Sequence, residues 1–203
     1  MVVANNRETF MDQLQREIAG SVRSDEQERV NRFARLFFRS FPLEELHTRD
    51  MVSVAGILYA CWSFLQDFEG GHARIKVFSP TLEADGWSSR RTVIQVLSRD
   101  MPFLVGSLMG ELNRREVDIH SIHSTVVRTS RGEDGRLLDF KGRHAPAPDF
   151  AEESLVYLEI SRNTDARFLA DLSSSISTLL EEVAVVVDNW APMAEQGRSA
   201  YDE

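Results

Sequence analysis

Along the first third of the chain, apolar residues return at helical spacing; afterwards they alternate or run together as in strands. Phe10, Leu14 and Ile18 share one face with Arg16 and Glu17 opposite, which predicts an amphipathic helix over Arg7–Ala19, interrupted by Gly20-Ser21. Val30, Phe33, Phe37 and Phe38 predict a second helix from about Asp25 to Arg39, ended by Pro42. Val52, Ala55, Leu58, Ala60, Trp62 and Leu65 mark a third and most hydrophobic helix, running from Arg49 or Asp50 to Phe68 and stopped by Gly70-Gly71. Three such stripes need a shared core or a partner surface.

From Arg74 the pattern changes. Arg74–Ser79 reads as a short strand closed by Pro80, and Thr81–Ser89 as a polar loop around Gly86-Trp87. Thr92–Leu97 is rich in β-branched residues and mostly apolar, so it belongs in the middle of a sheet. A turn at Asp100-Met101-Pro102 follows, with Asp100 placed as an N-cap and Pro102 near the first helical turn. Phe103, Leu104, Ser107, Leu108, Glu111 and Leu112 then recur at helical spacing, and Gly106 with Gly110 suggests close approach to a neighbour. Val117–Val127 is a second long strand. Arg131–Gly135 is a turn in which Gly135 suits positive φ, and Leu137–Phe140 a short strand continuing the hairpin. The loop Gly142–Glu153 holds Pro146 and Pro148; Ser154–Ser161 is the last strand. A long helix starts at Asp165 and closes at Trp190 and Pro192, and Met1–Asn6 is expected to fray.

This order predicts an α+β fold. A helical segment over 1–72 precedes a ferredoxin-like domain over 73–192, and 193–203 form a flexible or truncated tail. Arg74–Ser79 is placed at one edge, antiparallel to Thr92–Leu97, of a four-stranded antiparallel sheet with two helices packed on one face.

A net charge of −9 with only isolated basic pairs, Arg90-Arg91 and Arg114-Arg115, argues against a nucleic-acid partner. No apolar run reaches the roughly 20 residues of a membrane span, no secretion signal opens the chain, and Cys61 stands alone, which together point to the cytoplasm. No phosphate-binding glycine motif, zinc-protease motif or nucleophile elbow occurs. His120 and His123 lie three apart in a predicted strand and so point to opposite faces, which excludes a shared metal. His120 is placed as packing at the strand's start, and His123 as lining an interface. Cys61 lies in an apolar helix and is read as core. Asp100 is the polar residue in a site-like position, where backbone N–H groups at a helix start can hold an anion. With Met101 and Pro102 it forms the candidate effector site. Trp87 is either an exposed recognition aromatic or folded back onto the core.

Several runs resemble the amino-terminal region of the large bacterial NAD-specific glutamate dehydrogenases: Val77-Phe-Ser-Pro80, Gly86-Trp-Ser-Ser89, Thr92-Val-Ile-Gln-Val96 and Asp100-Met-Pro-Phe-Leu-Val105. Ser107, Glu111-Leu-Asn113, Ile119-His120 and Leu158-Glu-Ile160 follow in the same order, so the resemblance spans about Ala55 to Pro192. Gly106 and Ser124 depart from it, where an acidic residue and a proline are expected. The resemblance implies an ACT-like domain at the front of a longer enzyme that oxidatively deaminates glutamate to 2-oxoglutarate and ammonium with NAD. That chemistry, and NAD itself, would reside in a later part of the parent chain. This segment is then an assembly or regulatory module that contacts the rest of that chain and forms a homo-oligomer; the alternative is a sensor that binds a small amino-acid effector at the Asp100 turn.

Overall fold

Alternate residues of one central strand feed two separate hydrophobic cores. In the computed structural model, which describes residues 6–199 and their side chains as far as residue 189, that strand is β2 (Arg91–Arg99). β1 (Arg74–Phe78) and β5 (Ala151–Ser161) pair with it on either side, and β3 (Ile119–Arg131) and β4 (Leu137–Gly142) complete an antiparallel sheet ordered β1-β2-β5-β3-β4. Val93 and Leu97 of β2 join Leu155, Tyr157 and Val127 on one face; Ile94 and Val96 join Val156, Leu158 and Ile160 on the other. This is the strand's period of two, used on both sides.

The first face is covered by α1 (Arg7–Ser21), α2 (Gln27–Phe37) and α4 (Met51–Gln66), which contribute Phe10, Leu14, Phe33, Phe37, Ile57 and Leu65. The second is covered by α6 (Leu104–Arg114) and α7 (Ala166–Ser199) through Leu104, Leu108, Leu112, Leu172, Ile176 and Leu180. The architecture is the expected α+β fold, with β1 at the predicted edge. Two features exceed the prediction. The hairpin strand β4 pairs fully with β3, giving five strands rather than four. The front helices find their shared core on the sheet face opposite α6 and α7, because β2 and β5 are apolar on both sides and need two covers.

Asn6 caps α1 by accepting from the Thr9 N–H at 2.9 Å, and Asp50 caps α4 by accepting from the Ser53 N–H at 2.7 Å. Short helices α3 (Leu43–His47) and α5 (Leu82–Asp85) occupy stretches read as connections. The backbone of α7 continues through Trp190 and Pro192 to Ser199, since a proline within a long helix forgoes one hydrogen bond without ending it. Residues 1–5, expected to fray, and 200–203 of the expected tail lie outside the described residues. Gly135 takes φ 78° as its turn requires. Gly106 and Gly110 differ from expectation: a Cβ built on either meets nothing within 4 Å. The close approach occurs instead at Gly56.

Glu111 ties α6 to α7. Arg114 and Arg115 donate to it, and Ser175 Oγ donates at 2.7 Å; Arg115 also reaches Asp171 at 2.6 Å. Hydrogen bonds from Arg114, then Ser175 and Arg115, hold its carboxyl at about 2, below the ordinary 4.5. A depressed carboxyl stabilises the fold fully above its unfolded value, and that contribution disappears as the pH falls from 4.5 towards about 2. Urea midpoints of the wild type and Glu111→Gln are therefore expected to differ at neutral pH and to converge across that acid window. Midpoints that stay parallel would show that the carboxylate contributes nothing.

Candidate functional site

The turn after β2 is fastened from inside. The Asp100 N–H donates to the Glu152 carbonyl at 2.8 Å, and Ser154 Oγ donates to Asp100 Oδ1 at 2.6 Å; Arg143 lies 3.9 Å from the other carboxylate oxygen. The expected N-cap role is corrected: α6 begins only at Leu104, after Phe103 in a left-handed conformation (φ 67°) with no side-chain cap. Ser154 draws Asp100 towards β5, and the turn at Phe103 supplies the change of direction. Met101 is buried in the second core, Pro102 is exposed, and Phe103 projects outward with 70% of its surface exposed.

Beside Met101, where β2, β3 and β5 end against α7, lies a cleft of about 720 Å³. Met101, Leu180 and Ala184 give it apolar surface, and Arg99, Arg131 and Glu153 give it charge. Arg99 pairs with Asp188 at 2.6 Å. Arg131 holds Glu153 in a two-pronged bond, 2.7 Å on each arm, and also donates to the carbonyls of Leu65 and Gly135. Thr129 Oγ1 is buried and has no hydrogen-bond partner among the described residues, which leaves one polar group of this wall unsatisfied.

The structure does not bring the other two candidate residues to this turn. Trp87 is buried in the first core, folded back against α4. His123 is buried on the same face, stacked on Phe41 with ring centroids 3.5 Å apart and bonded to Glu45 at 3.1 Å. His120 is exposed and meets Arg91 at 2.7 Å and Ser161 at 2.9 Å, so the two histidines have separate surroundings.

His123 belongs to a buried polar network that the sequence pattern did not reveal. Arg49 donates to both oxygens of Glu159 at 2.7 and 2.8 Å and to Glu45 at 2.9 Å, while the Tyr157 hydroxyl donates to Glu159 at 2.6 Å. Burial pushes the Glu45 carboxyl up, but hydrogen bonds and charge from His123 and Arg49 outweigh it and hold the group below its ordinary value. Burial and the neighbouring Glu159 carboxylate push the Tyr157 phenol well up. Its signal was Glu159 itself, a carboxylate on an inward position of an apolar strand, which demands a charged partner. Burial raises the Cys61 thiol to about 12, so it stays an inert core group at neutral pH. Hydrogen bonds among Arg49, Glu45, Glu159, Tyr157 and His123 brace the sheet against the α3–α4 corner. Among the described residues no helix is long and apolar enough to cross a membrane.

A family model described as glutamate dehydrogenase, ACT1 domain, matches residues 33–176. The NAD-specific glutamate dehydrogenase of Halomonas elongata is 34% identical over 194 residues, covering 96% of this chain and 12% of that protein. The protein of the same name from Pseudomonas aeruginosa is 34% identical over 195 residues, with the same two shares. The chain thus spans about 12% of the length of the curated relatives it matches. No solved structure gives a significant match.

Proposed function

This chain belongs to the ACT1-domain family of glutamate dehydrogenases, and from that premise we propose that it is a non-catalytic assembly and regulatory module of an NAD-specific glutamate dehydrogenase. The parent enzyme would oxidatively deaminate L-glutamate to 2-oxoglutarate and ammonium. NAD is assigned to another part of that parent. The sheet here is antiparallel throughout, and the β2–α6 turn carries the side chain of Phe103 where a dinucleotide fold needs glycine to admit the pyrophosphate.

The observation that supports assembly is the outer face of α6. Phe103 and Met109 stand exposed at 70% and 37%, beside the bare Gly106 and Gly110. A large apolar ring held outward by a strained backbone suits a contact surface better than an isolated chain. A second copy of the chain is the proposed occupant, and the module is expected to form at least a dimer. Light scattering is expected to give a mass above the 23.1 kDa of one chain, returned to that value by Phe103→Asp. A wild type that stays at the single-chain mass at every concentration overturns the reading.

A second reading is a sensor of a small amino acid at the cleft beside Met101, supported by the unpartnered Thr129 hydroxyl. The same mass measurement, repeated with a panel of amino acids, addresses it: an effector acting there changes the mass, and Thr129→Val abolishes the change.

A further inference from the structure

The corner where the end of α2 meets the β3–β4 hairpin carries a hollow of about 470 Å³. Its charged lining is all of one sign. Arg39, Arg143 and His144 stand around Ser40, Ser124 and Thr125, and among the described residues no carboxylate lines it. In a chain of net charge −9 this is a local exception to the surface as a whole. Two of the basic residues are set by the backbone. Arg143 and His144 are the central residues of a turn closed by the Ala145 N–H, which donates to the Gly142 carbonyl at 3.0 Å. Arg128 clamps the exit of that turn by donating to the Ala145 carbonyl at 2.9 Å. The third, Arg39, comes from the single helical turn Phe38–Ser40 that follows α2. Arg39 and His144 have no hydrogen-bond or ion-pair partner among the described residues. Arg143 comes only within 3.9 Å of Asp100, too far for a hydrogen bond, and 57% of its side chain is exposed. Carboxylates that reach this corner are already engaged: Ser154 donates to Asp100, and Arg128 donates to Glu152 at 2.9 and 2.6 Å. The carbonyl end of α2, which would repel an anion, is occupied as well. Ser40 Oγ donates to Phe37 O at 3.1 Å, and Arg7 donates to Phe38 O and Phe41 O.

We propose that this hollow binds a phosphate group, as the free ion or as a phosphate monoester, with Arg39 and Arg143 pairing with its oxygens and His144 and the Ser124 hydroxyl donating to it. Phosphate presents about two negative charges and three strong acceptor oxygens pointing in different directions. A carboxylate presents one charge in one plane and leaves part of such a set unmatched. Guanidinium groups hold phosphate oxygens through paired N–H donors, which suits two arginines approaching from separate elements. Held together without counter-charge, these side chains repel one another, and a bound dianion removes that repulsion. None of the residues lines the cleft beside Met101 or belongs to α6, so the site stands or falls independently of the function proposed above.

The test is calorimetric titration of the 203-residue chain, at low ionic strength, with inorganic phosphate and separately with glycerol phosphate. Saturable binding of at least one is expected, and the tighter of the two identifies the free ion or the ester as the source of the group. Arg39→Gln and Arg143→Gln are each expected to weaken binding about tenfold or more, as loss of a charge-assisted bond implies. Both side chains are largely exposed and make no hydrogen bond within the described residues, so the fold is expected to survive these changes, which circular dichroism checks. Arg90→Gln/Arg91→Gln, which removes the same charge from a basic pair outside the hollow, is expected to leave binding unchanged. Absence of saturable binding with both probes overturns the proposal. So does binding undiminished in Arg39→Gln and Arg143→Gln, or weakened equally by the Arg90/Arg91 control, which would make it an effect of overall charge. Succinate binding as tightly as either probe overturns the assignment to phosphate.

Discussion

Arg131→Met is expected to lower the unfolding free energy by about 3–5 kcal/mol, the usual effect of removing one partner from a buried ion pair. The Arg131 and Glu153 side chains are 11% and 5% exposed, so the carboxylate left behind cannot recover its solvation from water. The substitution also releases the C-terminal end of α4, because Arg131 donates to the carbonyls of Leu65 at 3.0 Å and Gly135 at 2.9 Å. Those carbonyls lie where the α4 exit crosses the β3–β4 turn, a crossing reinforced by the Phe68 N–H donating to Gly135 O at 3.0 Å. Two losses are thus combined, and a second variant separates them. Arg131→Met/Glu153→Gln removes the orphaned charge and is expected to recover a large part of the stability in urea unfolding. If it recovers none, the carbonyl clamp is the main contribution. If Arg131→Met is itself neutral, the pair is not buried as described.

The apolar pattern made most of the elements legible, because helix and strand periods are local properties. β1, β2 and the long α7 could be read from side-chain spacing alone, and the turn glycine Gly135 from its position in a polar hairpin. What the pattern did not carry were relations between distant residues. Asp100 looks like a cap from its neighbours, yet Ser154, on the far side of the chain, claims its carboxylate. Gly106 and Gly110 look like a contact stripe, yet they face open space, while Gly56, unremarked in its apolar helix, is the one pressed against a ring. Lys76 and Gln95 stand side by side only because strand register pairs them. Register, partner choice and close approach are tertiary facts, and local spacing does not encode them.

The closest of those approaches makes a prediction whose sign depends on context. A Cβ placed on Gly56 would lie 2.3 Å from Trp87 Cγ, with two further indole-side atoms at 2.6 Å. Those atoms are the near end of the side chain, so they cannot swing away without moving the backbone of the loop that carries Trp87. Gly56→Ala is therefore expected to destabilise the wild type by about 1–3 kcal/mol, as overpacking of a filled core does. For a chain of this length that amounts to a fall of several degrees in Tm. Gly56 also sits inside α4, where alanine is intrinsically the better helix former by about 1 kcal/mol. In a Trp87→Gly background, which removes the Cβ and Cγ that the added methyl would meet, the clash is relieved, and the same substitution is expected to become neutral or stabilising. The two changes are thus non-additive, as contacting residues are. Equal effects of Gly56→Ala in both backgrounds would mean that the indole does not pack on α4.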